Sequence, residues 1–130
     1  MNNNRKSTLA LAVVLATGAT LATAGPASAR GGDGVTAHGQ CSGSATWKLK
    51  AKPDNGRVEV EFEVDSNRVG QTWSVRLHDN GQRFFAGSRT TQAPSGSFSV
   101  HKLTANRAGS DVIRARATHG AQTCRGSVTL

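Results

Sequence analysis

The sequence contains no tyrosine, and aromatic residues make up only 5% of its 130 residues. It has two cysteines and three prolines, whereas glycine occurs 15 times. Beyond the N-terminal segment it also lacks helical periodicity. This composition, in a chain with room for one domain, argues against a coiled coil, a membrane bundle and a large cofactor-dependent enzyme. Apolar and polar residues instead alternate through most of the chain, a pattern typical of a small β protein and not of a disordered one.

The N-terminal segment has the pattern of a secretion signal. Arg5 and Lys6 form a positive start, and an apolar stretch follows over 9–21. Residues 27–29, Ala-Ser-Ala, form a small-x-small cleavage site. Thr and Gly interrupt the apolar stretch, and it is shorter than the roughly 20 residues that span a bilayer. We therefore expect cleavage rather than retention as a membrane anchor.

The signal pattern and the alternation together divide the chain into three predicted segments. Residues 1–29 are predicted to be a signal peptide cleaved near Ala29, 30–35 a flexible mature N-terminus, and 36–130 one β-sandwich domain. We expect the mature protein to be released outside the cytoplasm and to have no transmembrane segment.

Two cysteines, Cys41 and Cys124, lie in the predicted mature chain. In an oxidising compartment a single pair has one connectivity, so a disulfide is expected. It would close nearly the whole domain and stabilise it by about 4–5 kcal/mol through loop-closure entropy. The alternative is a metal site in which His38 or His119 joins the cysteines. No CxxC or HxxxH spacing supports that site, so neither a metal nor a cofactor is predicted.

Two alternating stretches, 45–51 and 58–64, are separated by a Pro-Asp-Asn-Gly turn. Successive side chains of a strand lie on opposite faces, so one set of each stretch points to the core. The residues predicted to point inward are Ala45, Trp47, Leu49, Ala51, Val58, Val60, Phe62 and Val64. The charged residues predicted to face each other outside are Lys48, Lys50, Lys52, Glu59, Glu61 and Glu63. Such opposite-charge pairs are worth about 0.2–1 kcal/mol each.

A second hairpin is predicted around Asn80 and Gly81, a dipeptide favoured in type I′ turns. Before it, Trp73, Val75 and Leu77 are expected to point inward. Pairing across the turn sets Leu77 opposite Phe84 and turns Ala86 inward. The residues that this register leaves outside are Arg83, Phe85 and Arg89.

Three further alternating stretches, 97–103, 111–118 and 123–130, complete seven predicted strands. Their number and spacing predict an all-β fold, a seven-stranded antiparallel sandwich of two sheets. A partly open β-barrel is the alternative.

The strand order over 36–130 and the run Gly-Ser-Asp-Val-Ile-Arg-Ala at 109–115 resemble immunoglobulin and fibronectin type III-like sandwiches. The chain departs from that pattern because it has no corner tyrosine and no cysteine pair between the second and sixth strands. The resemblance implies that the first and last strands run parallel, which brings both cysteines to one end. It also implies that the third strand lies beside the sixth. The overall sequence also resembles small exported actinobacterial proteins. This resemblance implies a location outside the cytoplasm but no particular activity.

Catalytic motifs are absent from the sequence, which has no GxSxG, HExxH or phosphate-binding loop. Glu59, Glu61 and Glu63 do not indicate the paired carboxylates of a glycosidase, because each is expected to face a lysine. Both tryptophans are predicted to be buried between the sheets, so a sugar-stacking face is not expected either. We therefore predict no catalytic residue and no enzyme activity.

Charge is unevenly distributed between the two predicted sheets. The first, second and fifth strands carry lysines balanced by glutamates, whereas the other four present arginines with no outward acidic residue at mid-strand. The residues of this candidate anion-binding face are Arg76, Arg83, Phe85, Arg89, Arg114, Arg116 and Arg125. A face of one sign attracts polyanions by Coulomb summation and counterion release. Charge that serves only solubility is the alternative explanation.

These patterns predict a secreted, non-catalytic binding module whose partner is an extracellular polyanion or an acidic protein. An alternative is an inhibitor or competition protein that binds through loops at the disulfide end, where immunoglobulin-like domains often bind partners. The candidate residues of that loop site are Asp65, Asn67, Arg68, His119 and Gln122. An enzyme with an unrecognised site is the second alternative.

Overall fold

The computed structural model describes residues 33–130, and the predicted signal peptide lies outside them. These residues form eight β-strands and no helix. In chain order the strands are β1 (Val35–Gln40), β2 (Thr46–Asp54), β3 (Arg57–Asp65), β4 (Thr72–Asp79), β5 (Gln82–Thr90), β6 (Ser97–Ala105), β7 (Val112–His119) and β8 (Gln122–Thr129). Within this range there is thus no helix of the length and apolar character needed to cross a membrane.

The strands form two antiparallel sheets, ordered β1-β2-β3-β6 and β5-β4-β7-β8. All seven predicted strands are present, and they divide between the sheets as predicted. Each strand has one apolar face to bury, and two stacked sheets bury these faces against each other. The sheets are not joined into a closed barrel, so the sandwich is confirmed over the alternative.

The eighth strand, β1, was not predicted. It pairs antiparallel with β2, with Val35 opposite Ala51. Its inward positions are Val35, Ala37 and Gly39, whose small side chains produce only a weak apolar alternation. β1 also lies against β8 of the other sheet, so it covers one side of the sandwich.

The β2–β3 hairpin has the predicted register. The opposed pairs are Lys48–Glu63, Lys50–Glu61 and Lys52–Glu59. The distance from lysine Nζ to glutamate Oε2 is 3.9 Å in the first pair and 3.6 Å in the third. Nε2 of His101 on β6 lies 3.9 Å from Oε1 of Glu61. These six lysines and glutamates form the paired face, on which each charge has an opposite charge beside it.

Cys41 and Cys124 form the predicted disulfide. Cys41 follows β1 in one sheet and Cys124 lies in β8 of the other, so the bond ties the two sheets together at one end. Beside it, the N–H of Ser42 donates to the carbonyl of Thr123 at 2.8 Å. The N–H of Thr123 in turn donates to Oγ of Ser42 at 2.9 Å. This disulfide end also holds the β7–β8 turn.

The two tryptophans differ in burial. Trp73 is fully buried in the core, as predicted, whereas Trp47 is only partly buried. The indole of Trp47 packs across Gly126 of β8, where an added Cβ would lie 2.7 Å from the indole Cζ3. Trp47 therefore points inward but lies at the border of the sandwich, which corrects the expectation of full burial. Its position requires a glycine at 126.

The β4–β5 hairpin departs from the predicted register. Leu77 lies opposite Phe85 and not opposite Phe84, because a β-bulge adds one residue to β5. Alternation has a period of two, so one added residue exchanges the faces of the strand beyond it. Arg83 precedes the bulge and stays outward, as predicted. The residues that lie on the face opposite to the predicted one are Phe85, Ala86 and Arg89.

Candidate anion-binding face

Three arginines lie side by side on the outer face of the second sheet. Arg76 of β4 is opposite Arg116 of β7, and Arg116 is opposite Arg125 of β8. Neighbouring strands lie about 4.8 Å apart, so the three Cα atoms form a row of about 10 Å. Ala115 and Ala117 are buried on either side of Arg116 in the sequence, which turns the Arg116 side chain to solvent.

A second cationic row lies two residues farther along the same strands, a distance of about 6.8 Å. His78 of β4 is opposite Arg83 of β5 on one side and Arg114 of β7 on the other. The two rows together form the arginine face. Its residues are Arg76, His78, Arg83, Arg114, Arg116 and Arg125.

The arginine face has no acidic partner in the part of the chain that the structure describes. Every salt bridge of residues 33–130 involves either the paired face or the Arg107–Asp79 pair. All five arginines of the face are exposed. Their charges are therefore not neutralised within the domain, and the planar forked guanidinium groups are free to bind carboxylate, phosphate or sulfate groups.

Two depressions lie on this face and share Arg116. The larger, about 430 Å³, is framed by the side chains of His78, Arg114, Arg116 and Arg125 over the Ala115 segment. The smaller, about 190 Å³, lies next to it along β7. It is lined by Ser74, Arg76, Arg116 and Thr118. The surface therefore offers two adjacent concave positions for the groups of a ligand.

Phe85 and Arg89, which were predicted to belong to the face, lie on the inner side of β5. The Phe85 ring packs across Gly87. Cζ of Arg89 lies 5.1 Å and Nζ of Lys102 lies 5.0 Å from the centre of this ring. These distances are typical of cation–π contacts. Both side chains thus belong to the border between β5 and β6, and the arginine face contains no phenylalanine or tryptophan.

One part of the candidate loop site is the segment between β3 and β4, where polar groups are used to hold the loop itself. Oδ1 of Asp65 accepts the N–H of Asn67 at 2.8 Å. The carbonyl of Arg68 accepts the hydroxyls of Ser66 and Thr91. The Arg68 backbone is therefore part of the loop's internal structure.

The other part of the candidate loop site, the β7–β8 turn, is engaged in the same way. Nδ1 of His119 donates to the carbonyl of Thr72 at 2.8 Å, and its ring centre lies 5.4 Å from that of Trp73. Oε1 of Gln122 accepts the N–H of Ala45 at 2.8 Å. No hydrogen bond or salt bridge of residues 33–130 joins this turn to the β3–β4 loop, although His119 contacts Thr72, the first residue after that loop.

A buried polar network at the opposite end of the sandwich was not predicted. Asp79 and Asp111 are each only 1% exposed. Oδ2 of Asp79 accepts the Thr104 hydroxyl at 3.0 Å and Nη1 of Arg107 at 3.2 Å. Nη2 of Arg107 donates to Oε1 of Gln82 at 2.6 Å. The network joins the β6–β7 loop to the β4–β5 turn and so supports the strands that carry the arginine face.

The Asp111 carboxyl of this network has a perturbed pKa. Burial raises the pKa of Asp111, and the neighbouring Asp79 carboxylate raises it further, against the opposing effect of Arg107. Oδ1 of Asp79 has no hydrogen-bond partner among the described residues. The burial of both carboxyls could have been predicted from the strand alternation. Asp79 lies two residues after the inward Leu77, and Asp111 lies two residues before the inward Ile113.

Residues 33–130 include no group of three or more His, Cys, Asp or Glu side chains placed to hold a metal ion. No protein-family model, curated protein or solved structure matches this chain.

Proposed function

We propose that this protein is a secreted, non-catalytic binding module that holds an anionic polymer on its arginine face. The observation that carries the proposal is the register of β4, β7 and β8, which sets Arg76, Arg116 and Arg125 side by side without an acidic neighbour. Each guanidinium can pair bidentately with a carboxylate or phosphate group. Because such pairs release condensed counterions, binding is expected to weaken steeply as the salt concentration rises.

Export of the protein is part of this proposal. It is supported by the signal-like pattern of residues 1–29 and by the disulfide, since such bonds persist in oxidising compartments. The full chain has a formal net charge of +8, to which Arg5 and Lys6 of the predicted signal peptide contribute two, and the positive excess of the remainder also fits an anionic partner. Polymers of this kind outside a cell include teichoic or uronic wall polymers, acidic polysaccharides and extracellular DNA.

A protein ligand that acts through loops at the disulfide end has less support. His119 and Gln122 use their side chains in hydrogen bonds within the domain. We propose no catalytic step, because the sequence contains no motif that combines a nucleophile, a base and an orienting group.

The proposal is tested by titrating the oxidised mature protein against a short labelled DNA duplex over a series of NaCl concentrations. Duplex DNA serves here as a polyanion whose salt dependence is well described. For about five phosphate contacts, one for each arginine of the face, we expect a slope of log K against log [NaCl] of roughly −4 to −5. A slope near zero, or no binding at low salt, would contradict the proposal.

A further inference from the structure

The outer face of the second sheet does not end with the arginines. Toward the disulfide end, two more rows continue it with hydroxyl side chains. These residues are Ser74, Ser88, Thr118 and Thr123 in the nearer row and Thr72 and Thr90 in the farther one. The four hydroxyls of the nearer row make no hydrogen bond within residues 33–130, whereas those of Thr72 and Thr90 lie 3.2 Å apart. We call the nearer row the hydroxyl row.

The smaller depression lies where the hydroxyl row meets the arginine face. It is lined by two hydroxyl side chains, those of Ser74 and Thr118, and by two guanidinium side chains, those of Arg76 and Arg116. The larger depression has only Ser127 as a hydroxyl residue and is mainly cationic. A ligand that follows β7 across both depressions therefore meets guanidinium groups first and then guanidinium and hydroxyl groups together.

We propose that the anionic polymer of the arginine face is an acidic polysaccharide that lies along β7. This inference rests on the proposed function and narrows it. Carboxylate or sulfate groups of the polymer bind Arg114, Arg116 and Arg125, while its sugar hydroxyls exchange hydrogen bonds with Ser74 and Thr118. A hydroxyl can both donate and accept, which suits it to another hydroxyl group.

Single-stranded nucleic acid fits this face less well than an acidic polysaccharide does. Single-stranded nucleic acids are held largely by stacking of bases on aromatic side chains. Phe85 is on the inner side of β5, so the arginine face has no phenylalanine or tryptophan for such stacking. A polymer bound by charge alone would in addition leave the hydroxyl row unused.

The test compares two probes of equal charge number, oligogalacturonate and inorganic polyphosphate, at one fixed low salt concentration. The variant Ser74→Ala/Thr118→Val removes the two hydroxyls of the smaller depression and no charge. Its control is Thr36→Val/Ser99→Ala, which removes the same two groups from exposed outward positions of the first sheet. All variants are checked for an unchanged melting temperature.

We expect the Ser74→Ala/Thr118→Val variant to bind oligogalacturonate about fivefold to tenfold more weakly, as expected for two lost neutral hydrogen bonds. Its affinity for polyphosphate should change by less than twofold, and the control should behave as the unmodified protein with both probes. Salt-dependent binding of both probes that the variant does not alter would overturn the polysaccharide inference and leave the proposed function standing. Absence of binding to both probes would overturn both.

Discussion

The outer faces of the two sheets carry charge in opposite arrangements. On the paired face, lysines of β2 lie opposite glutamates of β3, with charged atoms 3.6–3.9 Å apart where they form salt bridges. On the arginine face, arginines lie opposite arginines across three strands. Both sets occupy mid-strand positions of antiparallel sheets in one small domain. The comparison shows that net charge alone does not describe this surface, because the charges are paired with opposite charges on one face and lie beside like charges on the other.

The arrangement of the arginine face also costs stability, which the paired face does not. Like charges directly opposite each other on neighbouring strands are destabilising, whereas opposite charges stabilise the pair. Charge that serves solubility alone can be dispersed over a surface without that cost. Three arginines at opposed positions are therefore more consistent with a ligand that brings the missing negative charge.

The largest effect is expected from the bond that holds the two compared sheets together. The Cys41–Cys124 disulfide spans 83 residues, so its reduction should destabilise the domain by about 4–5 kcal/mol. For a domain of about 100 residues this corresponds to a fall in melting temperature of roughly 20 °C or more. Circular dichroism melts with and without a reductant measure it. A fall of only a few degrees would show that packing alone holds the sheets together.

The comparison between the faces is tested directly by neutralising two charges on each. Arg114→Thr/Arg116→Thr should make the slope of log K against log [NaCl] on duplex DNA about 2 units less steep, since each lost phosphate contact contributes about 0.9. Lys48→Thr/Lys50→Thr changes the net charge by the same amount but leaves the arginine face intact, so its slope should match that of the unmodified protein. Equal effects of the two variants would mean that total charge, and not the arginine face, determines binding.

The buried carboxyls on the second sheet lead to an expected pH dependence. Since burial raises the pKa of Asp111, the folded state binds a proton more tightly than the unfolded state does. The stability that this group contributes is full below the unfolded value of 3.8 and is lost as the pH rises through the folded pKa. Asp111→Asn keeps the group neutral at every pH, so no charge is buried at this position.

This variant should therefore raise the melting temperature by a few degrees at pH 7, and the gain should shrink as the pH approaches 4. Thermal melts over a pH series measure the difference. Asp54→Asn at the end of β2 is the matched control and should show no comparable gain. A variant that is less stable than the unmodified protein at pH 7 would show that Asp111 is held as a carboxylate.

The smallest expected effect is a change in the free energy of unfolding, and its sign should differ between the two faces. Lys52→Thr removes an attraction to Glu59 and should destabilise the domain, whereas Arg116→Thr removes repulsion from Arg76 and Arg125 and should stabilise it. Each change should be about 0.2–1 kcal/mol. Urea unfolding at low and high NaCl measures both, and salt should reduce both by screening. The same sign for both variants would contradict the comparison.

Much of this architecture was predictable because strand alternation is a local property. The inward positions of Ile113 and Ala115 are sufficient to place Arg114 outside, and the matched lysines and glutamates determine the register of β2 with β3. The disulfide followed from the number of cysteines. β1 was missed because Ala37 and Gly39 are too small to produce a clear apolar period.

The sequence by itself therefore determined seven of the eight strands, their division between two sheets, the disulfide and the outward arginines of β4, β7 and β8. Only the tertiary structure decided the register of β5, since a bulge depends on how two strands pair and not on either strand alone. That bulge moved Phe85 and Arg89 to the inner side. The placement of Asp111 beside Asp79 was likewise decided by folding, because it brings a residue of β4 next to one that precedes β7, and local alternation cannot relate the two.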